Sequence, residues 1–91
     1  MGTKSNPGKF DCYAKAEPDE PIFTLRAKDP LAANMVRLWM ALRAGSGVAF
    51  AVETFAALVK RAEALDPEDI EKLSEAIACA DAMDYWFEER L

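Results

Sequence analysis

Two Asp-Pro steps, Asp29-Pro30 and Asp66-Pro67, and one Gly-Ser-Gly, Gly45 to Gly47, divide most of the chain into segments. An aspartate just ahead of a helix accepts hydrogen bonds from the free amides of the first turn. A proline at the first helical position gives up a donor that has no partner there. Glycine just past a last turn adopts the left-handed conformation that ends a helix. These marks predict a first helix over 30–44 and a second over 48–65, with Ser46 as its N-cap. A third should run from Pro67 to about Arg90, with Glu68 and Asp69 against the positive end of its dipole. Links this short lay each helix beside the one before, so the expected architecture is all-α, a three-helix up-down bundle.

Apolar residues at helical spacing suggest which sides face inward. They are Leu31, Met35, Leu38 and Leu42 on the first helix, and Val48, Val52, Phe55 and Val59 with Ala51, Ala62 and Leu65 on the second. On the third they are Ile70, Leu73, Ile77, Ala80 and Phe87, interrupted by Asp84. Val36, Trp39 and Met40 fall off the first helix's stripe. That helix is therefore either central in the bundle or shared with a second copy of the chain, and the expected state is a homo-oligomer.

Ahead of the helices, residues 1–9 read as a flexible tail, and 10–91 as a single helical domain. The run FDCYAKAEPDEP, with Phe10, Tyr13 and two prolines, reads as an extended arm over the core and not as helix. Residues 21–27 alternate in side-chain character and could form a short strand, either paired with a second copy or extended against the helices.

At 91 residues, 52% hydrophobic and 30% charged, the chain can fold. A domain this small buries about 60 to 65% of its unfolded surface. No apolar run approaches the roughly 20 residues needed to span a bilayer, so a soluble protein is expected, with no membrane partner. The opening MGTKSNPGKF has no apolar stretch typical of an export signal, and Asn6 stands where myristoylation requires Ser or Thr. Cys12 and Cys79 then point to free thiols in a reducing cytoplasm. Net charge is -5 and unevenly spread. Seven Lys or Arg face five acids up to Arg43, while four face eleven beyond it. Direct nucleic-acid binding, which needs a basic footprint, is not expected.

The chain has no histidine and no Gly-rich phosphate loop, so no enzymatic activity, catalytic residue or cofactor is expected. Asp81, Asp84 and Glu88 share a face of the third helix but lack the oxygen-rich loop of a calcium site and the His or Cys of a zinc site, so no metal is expected. With Glu89 they form an acidic face, which is either simply solvated or a contact for a basic protein partner.

The cations are more selective. Arg26 and Lys28 flank the entry to the first helix, although Asp29 already occupies amides that an anion would use. Trp39 and Arg43, four residues apart, put a flat π surface beside a fork of donors suited to a nucleotide. The alternative is that Trp39 fills a core or interface while Arg43 answers acids of the third helix. Arg37 shares a face with Asn34 and Ala41. Tyr13 offers a further stacking surface.

The segment from Asp11 to Trp39 follows the pattern D-x-Y-x-K-A-x-x-D-E-P-x-F-x-L-x-A-x-D-P and then V-x-x-W. In this it resembles a small protein family found in phages and prophages. The resemblance covers about a third of the chain and implies an accessory protein acting in the cytoplasm of an infected bacterium. Small oligomeric phage proteins of that type often counter host defence, some by sequestering cyclic or other nucleotide signals between subunits. The expected function is therefore anti-defence sequestration of a small anionic, nucleotide-like ligand at a homo-oligomer interface, with Tyr13, Arg26, Lys28, Arg37, Trp39 and Arg43 as its contacts. The alternative is an acidic inhibitor or adaptor, a nucleic-acid mimic in charge, that uses Asp81, Asp84, Glu88 and Glu89 against a basic host protein.

Overall fold

The computed structural model describes residues 2–45 and 47–91. The described residues are all-α, with four helices and no strand: α1 (Cys12–Lys15), α2 (Ala32–Ala44), α3 (Val48–Glu63) and α4 (Ile70–Glu88). The chain divides into two compact units. One holds the residues up to Phe23 together with Glu68–Leu91, and the other is Thr24–Pro67. No helix among the described residues is long and apolar enough to cross a membrane.

In the Thr24–Pro67 unit, α2 and α3 pack as a hairpin. Asp29 Oδ1 accepts from the Leu31 amide at 2.9 Å, as an aspartate before a helix should. Regular helix nevertheless begins at Ala32, because residues 29–31 form a turn in which Ala32 N donates to the Asp29 carbonyl at 3.0 Å. The helix ends at Gly45, whose φ of 76° is the left-handed stop expected from the sequence. The expected Ser46 cap lies outside the described residues. At Gly47 a Cβ would meet the Ala41 carbonyl oxygen at 3.2 Å, so a larger residue there would have to push α3 a few tenths of an ångström away from α2. α3 closes two residues before the expected Leu65, its end tightening into three-residue turns.

The pair is sealed by small residues. Ala32 and Ala41 of α2 and Ala51, Thr54 and Leu58 of α3 are buried, and Leu31, Asn34 and Leu38 are half-buried. This corrects the expected faces. Met35 and Leu42 are exposed, and so are Val48, Val52, Phe55, Val59 and Leu65, with Ala62. Periodicity shows which residues share a face, but several faces of α3 are apolar. The closest approach goes to the one whose small side chains admit a neighbouring backbone.

The other unit joins the arm to α4. The arm contains a helical turn where none was expected. Asp11 Oδ1 accepts from Tyr13 N at 3.0 Å, and Ala16 N donates to the Cys12 carbonyl at 2.9 Å, which closes α1. From Pro21 the chain is irregular and makes no strand. α4 starts at Ile70 and not at Pro67, because Asp69 rather than Asp66 supplies the cap, accepting from Glu71 N at 2.8 Å. The expected stripe of Ile70, Leu73, Ile77, Ala80 and Phe87 is exposed. The half-buried residues are Ala76, Cys79, Met83 and Trp86. These also recur at three and four residues, and the arm lies along them. Cys79 Sγ donates to the Ile22 carbonyl at 3.4 Å, and Arg90 pairs with Glu17 at 3.7 Å. Both cysteines are free thiols.

Candidate functional site

The Thr24–Pro67 unit carries an open groove of about 390 Å³ where the lead-in to α2 runs past the helix hairpin. Leu25, Ala27 and Val36 give it apolar walls, and Asn34, Arg37 and Arg61 give it polar ones. Its size falls in the range of small-ligand sites. Arg37 Nη1 donates to Asn34 Oδ1 at 2.7 Å, one turn back along α2. This bond orients the guanidinium and leaves the Asn34 amide group to act as a donor.

Arg61 reaches the groove because it continues the α2-facing stripe of α3, three residues beyond Leu58 and seven beyond Thr54. Neither Arg37 nor Arg61 has a carboxylate within 4.0 Å among the described residues. Asp29 also lines the groove, with one carboxylate oxygen bonded to the Leu31 amide. Negative charge thus sits in the same groove as the two arginines, and the hairpin returns Arg61, near the end of α3, toward the α2 entry.

Trp39 lies one turn beyond Val36 on α2 and is not part of the groove lining. The Arg43 guanidinium carbon is 5.9 Å from the Trp39 ring centroid, at the outer limit of a cation–π contact. Trp39 is 57% exposed, so the helix hairpin that carries it does not enclose the indole.

The other expected contacts are placed differently. Arg26 and Lys28 are exposed on the turn before α2, where the Arg26 carbonyl accepts from Asp29 N at 2.9 Å, and neither lines the groove. Their neighbours Leu25 and Ala27 line the groove instead. Tyr13 belongs to the other unit, on α1, and is 79% exposed.

On α4, Asp81, Asp84 and Glu88 are exposed, and Glu89 caps the helix end. None of the four has a cation within 4.0 Å among the described residues. No three His, Cys, Asp or Glu side chains converge there to hold a metal ion.

Comparison with protein-family models, with curated proteins and with solved structures finds no match for this chain.

Proposed function

We propose that this chain is a non-enzymatic binding protein that captures a small anionic, nucleotide-like ligand and works as a homo-oligomer. The setting is the one its resemblance to the phage family implies, an accessory role against host defence in a bacterial cytoplasm. The observation that supports the reading is the pair of guanidinium groups, Arg37 and Arg61, on one groove with Asn34, neither within 4.0 Å of a carboxylate among the described residues although Asp29 lines the same groove. Two planar forks offer bidentate contacts to phosphate oxygens. Trp39 and Arg43, next along α2, provide a surface on which a base can stack.

Native mass spectrometry of the protein mixed with a bacterial nucleotide extract tests both parts at once. The expected spectrum shows an oligomer retaining a phosphate-bearing adduct. Arg37→Ala and Arg61→Ala should each weaken retention roughly ten-fold or more, since a charge-assisted hydrogen bond is worth about 1.5 to 3 kcal/mol. Arg26→Ala should leave retention nearly unchanged. An oligomer with no adduct, whose Arg37 and Arg61 variants bind nothing less than the parent does, counts against the ligand reading. It then favours the second reading, in which the exposed acids Asp81, Asp84 and Glu88 meet a basic protein.

A further inference from the structure

The groove that holds Arg37 and Arg61 also holds an acid, Asp29. Helix capping does not account for its charge. The cap uses one oxygen, Oδ1, which accepts from the Leu31 amide at 2.9 Å, and Asn or Ser caps a helix about as well as Asp does. Among the described residues Oδ2 has no hydrogen-bond or ion-pair partner. A carboxylate oxygen only accepts, so it repels a phosphate oxygen and attracts a hydroxyl or amino hydrogen.

The groove keeps its positive and negative positions separate. Arg37 is tied to Asn34 at 2.7 Å, and neither Arg37 nor Arg61 lies within 4.0 Å of Asp29. A ligand that satisfies all of these groups carries an anion for the guanidiniums and a hydrogen-bond donor for Oδ2. The donor is better neutral than charged, because two guanidiniums in the same groove repel an ammonium. A hydroxyl meets both conditions.

The size and lining of the groove agree with this. Its volume of about 390 Å³ is in the range of organic ligands and exceeds what a lone phosphate fills. Leu25, Ala27 and Val36 offer carbon surface for the skeleton that joins a phosphate to its hydroxyls.

We propose that the groove takes a sugar phosphate, with the phosphate on Arg37 and Arg61 and a sugar hydroxyl donating to Asp29 Oδ2. This rests on the anion-binding half of the reading above and makes Asp29 the residue that selects for the sugar. Calorimetric titration of the full chain with ribose 5-phosphate and with n-pentyl phosphate, which has the same number of carbons and no hydroxyl, tests it. The ratio of the two affinities cancels the shared phosphate contact. In Asp29→Asn and Asp29→Ser, which keep the cap, this ratio should fall roughly three- to ten-fold, because the hydroxyl loses a charged acceptor. Arg37→Ala should weaken both probes and leave the ratio within about two-fold of the parent. A ratio unchanged in both Asp29 variants, while Arg37→Ala weakens both probes, overturns the role of Asp29 and leaves the anion reading intact. O-phosphoethanolamine binding more tightly than ribose 5-phosphate overturns the choice of a hydroxyl. Failure of the parent to bind any of the three probes at about 10 mM overturns the sugar-phosphate proposal and the anion reading together.

Discussion

The Arg90 guanidinium carbon lies 3.6 Å from the Trp86 ring centroid, close enough to stack on the indole. The same side chain donates from Nη1 to the Trp86 carbonyl at 2.9 Å and sets Nη2 3.7 Å from Glu17 Oε2. One arginine therefore caps the last turn of α4, covers an aromatic face and reaches the arm. Midway along α4 Cys79 also meets the arm, through the Ile22 carbonyl. Trp86 Nε1 is buried with no acceptor among the described residues, so within the protein the indole is held by packing and by Arg90.

Replacing Arg90 should therefore cost more than replacing its acid partner. Arg90→Ala is expected to lower stability by about 1 to 2 kcal/mol, from the loss of the stack and the carbonyl contact. Glu17→Gln should cost under about 0.5 kcal/mol, because an ion pair this exposed is screened. Arg90→Lys should recover only part of the loss, since an ammonium lacks the flat fork. Urea unfolding followed by Trp86 fluorescence in a Trp39→Phe background reads all three. A Glu17→Gln loss equal to that of Arg90→Ala would assign the effect to the ion pair instead.

The start of α4 gives a second prediction, because its sequence offers two aspartates for one role. Asp69 accepts from Glu71 N, so Asp69→Ala should destabilise the protein by about 1 kcal/mol. Asp66→Ala should change stability by no more than about 0.5 kcal/mol, as a surface substitution outside the cap does. Thermal unfolding of the two variants side by side is sufficient. If the order is reversed, the helix begins near Pro67 in solution.

The helix ends and the helix faces were not equally legible. Asp29, Gly45 and the acids ahead of α4 announce their helices because capping is local chemistry, set by a side chain and the amides or carbonyls within one turn. The short α1 is also local, yet prolines at 18 and 21 and the polar tail obscured a single turn held by Asp11. Burial is a pairwise property. Ala51, Thr54 and Leu58 won the α2 contact over Val48, Val52 and Phe55 through close approach, which no periodicity records. The same limit hid Arg61 from the candidate site, although its place on the Thr54–Leu58 stripe identifies it once that stripe is known to face α2. Arg37 was legible because its partner Asn34 is one turn away. Arg26 and Lys28 were drawn in by charge and by their place at the helix entry, and the groove is lined by their neighbours Leu25 and Ala27 instead.

Leu58 and Phe55, three residues apart on α3, should separate folding from assembly. Leu58 is 7% exposed, against 60% for Phe55. Leu58→Ala removes packed methyl groups from the α2 contact and should cost about 2 to 5 kcal/mol at every protein concentration. Phe55→Ala opens no cavity inside the hairpin, so in dilute protein its cost should stay below about 1 kcal/mol. If a second copy covers Phe55, the parent gains stability as concentration rises, because association favours only the folded chain. The Phe55→Ala penalty should then grow with concentration while the Leu58→Ala penalty stays level. Denaturation midpoints measured from about 1 to 100 μM distinguish the two patterns. Parallel concentration dependence in parent and Phe55→Ala would mean that copies meet through another surface.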